Sequence, residues 1–182
     1  MFVIYALPIG LLLGFLLGGR PAGLGAIKFR WAWLAVAGFA TQVVLFSAPV
    51  SARIGDAGPL VYVASTAMVL AAVIANIRIP GMVLVAIGAA SNLAAIVANG
   101  GYMPASAAAV AAIGRGQIVT YSNSAVIPSP AFEPLTDVIA LPAWLPFTNI
   151  ISVGDLLIGA GIVAVIAIAM RSARENPPIR AE

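Results

Sequence analysis

Five long apolar runs, separated by gaps that hold most of the charged residues, constrain the fold of this chain more than any other feature. Each run is close to the roughly 20 residues that a helix needs to cross the hydrocarbon core of a bilayer. Lipid offers no partners to backbone N–H and C=O groups, so runs of this length must be helical. The sequence therefore predicts an all-α integral membrane bundle of five transmembrane helices, with spans at about Met1–Gly19, Trp31–Val50, Leu60–Ile77, Gly81–Ala98 and Val153–Met170.

Composition supports this class and excludes several kinds of chemistry. The 182 residues are 62% hydrophobic and 8% charged, whereas a soluble domain has about 25% charged residues. The chain contains no Cys and no His, which rules out zinc sites built from these residues, His-ligated haem, Cys nucleophiles and Ser-His-Asp triads. We expect neither a metal site nor a cofactor. The net charge of +3 indicates membrane topology rather than nucleic-acid binding, because the basic residues border the apolar runs.

The distribution of Lys and Arg predicts the orientation of the helices. If five spans alternate in direction, only Arg53 and Arg115 lie on one side of the membrane, and the other seven basic residues lie on the opposite side. The positive-inside rule then places the N-terminus outside and the tail, residues 171–182, in the cytoplasm. Trp31 and Trp33 fall at the cytoplasmic start of the second span, where interfacial aromatic residues are expected. The seven cytoplasmic residues are Arg20, Lys28, Arg30, Arg78, Arg171, Arg174 and Arg180.

The segment Asn99–Ser152 is external in this topology and is too apolar to extend freely into water. It is rich in proline and contains the apolar run Val138–Phe147. Loops of this length without structure of their own are uncommon. We expect a membrane-hugging loop whose short helices lie on or in the outer leaflet, with Trp144 and Phe147 at interfacial depth. Gly100–Gly101 is expected to end the fourth span.

Three glycines in the first span, Gly10, Gly14 and Gly18, recur at four-residue spacing. This spacing puts small residues on one helix face and permits close helix–helix packing. The partner is either another span of the same chain or a second protein, in a homo-oligomer or a complex with another membrane protein. Apart from this spacing, we identify no internal repeat.

Polar residues gather in the outer half of the predicted bundle, where they face one another or a wet cavity, because buried polar groups need partners. Two interpretations are open. They form interhelical hydrogen bonds, each worth about 0.6 kcal/mol, or they line an outer-leaflet pocket for a lipid or a small ligand. Either suits a non-catalytic polytopic protein that acts as an accessory or assembly subunit of a membrane complex or as a ligand binder. The candidate ligand-binding residues are Gln42, Thr66, Asn92, Asn99 and Asn149.

Two external acidic residues, Asp137 and Asp155, support an alternative catalytic interpretation. Two carboxylates in one site cannot both ionise cheaply, so such a pair can activate water as an aspartic hydrolase does. Asp155 also has a structural explanation, because Ser152-x-x-Asp155 before an apolar run is a capping-box pattern. Whether the chain is an enzyme is therefore open.

Two family resemblances follow from these motifs. Asp137, then Phe147-Thr148-Asn149, then Asp155 at the start of the last span resembles the lipoprotein signal peptidases, which implies an intramembrane peptidase with Asp137 and Asp155 as catalytic residues. A broader set of motifs resembles a family of small bacterial multi-pass membrane proteins of unknown function, which implies a location in the bacterial cytoplasmic membrane. The motifs of this broader set are Asn99-Gly100-Gly101-Tyr102-Met103-Pro104, Pro134-Leu135-Thr136-Asp137, Asn149 and Ser152-Val153-Gly154-Asp155.

Overall fold

A computed structural model describes residues 3–113, 124–142, 144–146 and 148–175. The described chain is mostly helical, which confirms the predicted helical class in part. In chain order, its α-helices are α1 (Val3–Leu16), α2 (Ala32–Leu45), α3 (Ala48–Ser51), α4 (Ala57–Ala75), α5 (Met82–Ala98), α6 (Ala107–Ala112) and α7 (Val153–Glu175). Short 3-10 helices cover Pro21–Ala26 and Glu133–Leu135. Four two-residue strands are β1 (Met103–Pro104), β2 (Ser124–Ala125), β3 (Ile139–Ala140) and β4 (Ile150–Ile151).

Two helical segments are long and apolar enough to cross a membrane, namely Ala57–Ala75 and Val153–Ser172. The helices α1, α2 and α5 are apolar as well but have only 14, 14 and 17 residues. The second span is shorter than predicted because Pro49 stands at the start of a separate helix, α3, and proline cannot continue a helix interior. These lengths indicate a membrane protein without fixing how many times the chain crosses.

The closest helix contacts run in the order α1, α7, α5, α4 and α2. Glycines on α5 and α7 bring these two helices together at backbone distance. A Cβ built on Gly81 would lie 2.6 Å from the carbonyl oxygen of Gly161, and one built on Gly88 would overlap the carbonyl oxygen of Gly154. Because higher residue numbers on α5 meet lower numbers on α7, the two helices are antiparallel.

The glycines of α1 pack against α7 in the same chain. A Cβ on Gly10 would lie 3.0 Å from Ile166, and one on Gly14 would overlap Met170. Residue numbers rise together along this contact, so α1 and α7 are parallel. Gly18 departs from the predicted packing role, because α1 ends at Leu16 and Gly18 lies exposed beyond it.

The chain beyond α1 forms a Schellman motif, in which Gly18 has φ +74° and the Gly19 N–H donates to the Gly14 carbonyl at 2.8 Å. Gly19 takes the packing position instead, because its Cβ would lie 2.7 Å from the Met170 carbonyl carbon. The four-residue glycine pattern thus ends with the helix.

The described residues between α5 and α7, 99–113, 124–142, 144–146 and 148–152, are called the cap below. The cap was expected to consist of short helices; it contains two, α6 and the 3-10 helix Glu133–Leu135, together with the four two-residue strands. β1 pairs in parallel with β2, and β3 pairs antiparallel with β4. The apolar run Val138–Phe147 contributes β3 and turns rather than a helix; its Pro142 and Pro146 disfavour continuous helix. Phe147 itself lies outside the described residues.

The cap covers one end of the helices, called the cap end. Leu45 from the end of α2, Tyr62 from the start of α4 and Ile96 from the end of α5 are buried together there with Met103 of β1. α5 ends as expected in glycines, since Gly100 and Gly101 both have positive φ and the Gly101 N–H donates to the Ile96 carbonyl at 2.8 Å. The opposite end of the helices is called the far end.

Candidate functional site

The predicted polar residues pair in separate groups. Between α2 and α4, the amide Nε2 of Gln42 donates to Thr66 Oγ1 at 3.2 Å, and that hydroxyl donates to the Tyr62 carbonyl at 2.8 Å. The Thr66 hydroxyl thus accepts one hydrogen bond from the Gln42 amide and donates one to the backbone. The pair behaves as an interhelical contact between half-buried side chains.

A second group joins Asn92 of α5 to the start of α7. Asn92 Nδ2 donates to Asp155 Oδ1 at 2.9 Å, and the Ser152 hydroxyl donates to Asn92 Oδ1 at 2.8 Å. The predicted capping box is present in both directions. The Asp155 N–H donates to Ser152 Oγ at 3.0 Å, and the Ser152 N–H donates to Asp155 Oδ2 at 3.2 Å. Each oxygen of the half-buried Asp155 carboxylate therefore accepts one hydrogen bond, in the region where the helix dipole favours negative charge.

Asn99, the C-cap residue of α5, clamps the backbone of one residue in the cap. Its Oδ1 accepts from the Ala131 N–H at 2.9 Å, and its Nδ2 donates to the Ala131 carbonyl at 2.9 Å. The second hydrogen on Nδ2 reaches the Ala95 carbonyl at 2.8 Å. Both amide hydrogens of Asn99 are used within the chain, so it holds the cap in place.

Asn76, the C-cap residue of α4, makes the same set of bonds at the far end. Its Oδ1 accepts from the Arg30 N–H at 2.7 Å, and its Nδ2 donates to the carbonyls of Arg30 and Ala72, both at 2.7 Å. Asn76 is only 4% exposed. It ties the segment before α2 to the end of α4.

Asp137 is 5% exposed, although it is a carboxylate. Its backbone pairs with β1, since its N–H donates to the Pro104 carbonyl and its carbonyl accepts from the Ser106 N–H, both at 2.9 Å. The β3–β4 register sets Ile139 opposite Ile151. Continued by two residues, that register puts Asp137 opposite Val153, two positions before Asp155. The Asn149 carbonyl accepts from the Leu141 N–H at 2.9 Å in the same ladder.

A groove of about 400 Å³ opens at the cap end between α2, α3 and α4. Its lining is almost wholly apolar, with one polar side chain, Thr41; none of the predicted ligand-binding residues lines it. Arg53 follows directly on α3, between the lining residues Val50 and Ile54. Its Nη1 donates to the Pro49 carbonyl at 3.0 Å, and it forms no ion pair within the described residues. The groove is lined by Ala40, Thr41, Val44, Leu45, Val50, Ile54 and Val61.

Two signals in the sequence that were not among the predictions correspond to these contacts. Gly81 and Gly88 are seven residues apart, as are Gly154 and Gly161, and these are the pairs that join α5 to α7. The second signal is a repeat, because Leu70-Ala71-Ala72-Val73-Ile74-Ala75-Asn76 and Leu93-Ala94-Ala95-Ile96-Val97-Ala98-Asn99 are nearly identical. Each copy ends in a clamping asparagine. Among the described residues, no group of three or more acidic side chains could hold a metal ion.

Comparisons with known proteins agree with the broader resemblance. A search of curated proteins and a search of solved structures find no match to the chain. One family model matches residues 26–167, which is most of the chain and includes α2 through most of α7. The chain therefore belongs to the family of unknown function DUF5317.

Proposed function

We propose that the protein crosses the membrane five times, through α1, α2, α4, α5 and α7, with the N-terminus outside and the cap on the external face. The packing directions support this topology, since α1 runs parallel to α7 and α5 runs antiparallel to it, as five alternating spans require. The large apolar side chains exposed along these helices support it as well, because lipid is the solvent that suits them. The shorter helices would be matched by local thinning of the bilayer.

Within this topology, the function that the geometry favours is non-catalytic binding of a lipid in the external leaflet. The main support for this proposal is the contrast between the polar residues, which are paired within the chain, and the apolar groove, which is open. Gln42 and Thr66 engage each other, Asn92 engages the Ser152 and Asp155 side chains, and Asn99 engages the backbone. The open groove, in contrast, is apolar. Arg53 lies in the chain between the lining residues Val50 and Ile54. An apolar groove with an arginine in one of its lining segments suits an acyl chain joined to an anionic phosphate headgroup. The proposed ligand is therefore an anionic phospholipid, not a polar molecule.

Filling the groove tests this proposal. Ala40 lines the groove and is exposed, so Ala40→Phe would occupy the space of the acyl chain. Ala94 on α5 is also exposed but does not line the groove, so Ala94→Phe is the matched control. The protein would be purified in mild detergent with excess phosphatidylglycerol, and lipid retained per protein would be measured by native mass spectrometry.

We expect Ala40→Phe to retain less lipid than the unaltered protein. Ala94→Phe should retain as much lipid as the unaltered protein. An Arg53→Gln variant would retain lipid but lose the preference for phosphatidylglycerol over phosphatidylcholine by roughly tenfold, because one charge-assisted hydrogen bond is worth about 1.5 kcal/mol or more. Equal retention by both phenylalanine variants would contradict the proposal, as would an unaltered protein that retains no lipid.

A second candidate function, an intramembrane aspartic hydrolase, rests on the β3–β4 ladder. This ladder pairs Ile139, two residues after the buried Asp137, with Ile151, two residues before α7, which carries Asp155. In a native host, Asp137→Asn and Asp155→Asn would each abolish the product of peptide cleavage. The control Asp56→Asn, on an exposed turn, would leave that product unchanged. If both variants assemble normally and retain every phenotype of the native protein, the catalytic interpretation fails.

A further inference from the structure

The two asparagine clamps share one more feature, which lies in the residue that follows each clamped residue. Trp31 follows Arg30, and Phe132 follows Ala131. Both aromatic residues have left-handed backbones, with φ, ψ of 56°, 32° for Trp31 and 53°, 44° for Phe132. A bulky side chain rarely adopts this conformation, because its Cβ crowds the following carbonyl. It persists only where surrounding structure imposes it, and here an asparagine side chain holds both the N–H and the carbonyl of the preceding residue.

Both aromatic side chains are exposed rather than used in the core. Trp31 is 51% exposed and Phe132 is 59% exposed. Each also begins a helix, since Trp31 is the N-cap of α2 and Phe132 is the N-cap of the 3-10 helix Glu133–Leu135. The same strained geometry thus presents a large aromatic residue twice, each time with more than half of its surface exposed.

The two clamps lie at opposite ends of the helices. Asn76 ends α4 at the far end, and Asn99 ends α5 at the cap end. The helix between them, α5, has 17 residues and therefore spans about 26 Å. This length is close to the roughly 30 Å hydrocarbon thickness of a bilayer. The two clamps thus lie at the two ends of a helix that is about as long as the distance between the two interfaces of a membrane.

From this we infer that Trp31 and Phe132 are a matched pair of interfacial anchors, one at each surface of the bilayer, and that Asn76 and Asn99 hold them there. The partner is the lipid boundary between headgroups and acyl chains, where aromatic residues concentrate. The placement of one such ring at each end favours lipid over a protein partner, which would require a single surface. Arg30 and Glu133, the exposed charged neighbours of the two rings, suit the water-facing side of that boundary.

Tryptophan fluorescence tests this inference separately for each ring. The chain has three tryptophans, so Trp33→Phe with Trp144→Phe leaves Trp31 as the single reporter. Adding Trp31→Phe and Phe132→Trp to that background moves the reporter to position 132. Each form would be placed in phosphatidylcholine vesicles whose lipids are brominated either near the headgroup or near the end of the acyl chain, and iodide would serve as the aqueous quencher.

We expect both reporters to be quenched best by bromine near the headgroup and poorly by iodide. Asn99→Ala should flatten the depth profile of the reporter at position 132 and leave that of Trp31 unchanged, while Asn76→Ala should do the reverse. This reciprocal pattern separates local release from general unfolding, which would alter both reporters. Strong iodide quenching with no bromine quenching at position 132 would overturn the inference. So would asparagine variants that leave both depth profiles unchanged.

Discussion

Replacing Gly161 by alanine would force α5 and α7 apart. A Cβ at this position would lie 2.8 Å from the Gly81 carbonyl oxygen and 2.8 Å from the Val85 backbone nitrogen. A carbon and a carbonyl oxygen normally approach to about 3.4 Å. Both contacts are with backbone, so no rotamer change relieves them, and the helices must separate by about 0.6 Å.

The magnitude follows from what this separation breaks. Overpacking of this kind costs about 1–3 kcal/mol. The Asn92–Asp155 hydrogen bond would lengthen from 2.9 Å to about 3.5 Å, beyond useful range, with a further loss of about 0.6 kcal/mol. Alanine's better helix propensity returns about 0.8–1.0 kcal/mol. The net expectation is a free energy of unfolding lowered by about 0.6–2.8 kcal/mol.

Reversible unfolding by SDS in mild detergent, followed by circular dichroism, would measure this difference. Gly25→Ala is the matched control, because its Cβ would meet no heavy atom within 4 Å; we expect a change within about 0.5 kcal/mol. If Gly161→Ala proves as stable as the unaltered protein, the backbone contact between α5 and α7 is not what the structure indicates.

The same unfolding assay checks three further expectations. Asn76→Ala should lower the free energy of unfolding by about 2–3 kcal/mol, and Asn99→Ala should lower it by about 1–2 kcal/mol. The difference arises because water can replace the lost bonds only at the half-exposed Asn99; equal losses would argue against this explanation. Phe132→Gly should be more stable than Phe132→Ala by about 1 kcal/mol, since only glycine relieves the left-handed strain, and a more stable alanine variant would show that no strain is present. Ser152→Ala should cost about 1–2 kcal/mol through loss of the cap on α7, whereas an unchanged stability would remove the capping box from the account.

The helices could be predicted from the sequence because apolar runs and their flanking charges depend on solvent, not on tertiary detail. The predicted ends of the helices were less accurate than their positions. The glycine spacing in α1 continued past the helix, because Gly18 adopts the left-handed conformation that ends it. The second span ends early, at Leu45, because Pro49 has no N–H to donate to the Leu45 carbonyl and therefore cannot continue the helix.

The candidate site was predicted only in part, for a different physical reason. The capping box could be read from Ser152-x-x-Asp155, since it is a local pattern. The pairing of Asn92 with Asp155 joins residues 63 positions apart, and no local pattern encodes it. Grouping the polar residues by depth predicted one pocket, but depth does not specify which helices are neighbours. In the structure, Gln42 bonds Thr66, whereas Asn92 bonds Ser152 at the start of α7. The groove was missed because its lining looks like any lipid-facing surface in sequence.

The sidedness of five single-cysteine positions would test the five-span topology, on which both the groove and the anchors depend. The chain has no native cysteine, so each introduced thiol reports alone. Ala52, Ser129, Gly25, Arg78 and Ser172 are all exposed. In intact cells, a membrane-impermeant maleimide should label cysteines at positions 52 and 129, and it should label those at 25, 78 and 172 only after permeabilisation. Labelling of positions 52 and 129 from opposite sides, or of 129 and 172 from the same side, would contradict the account.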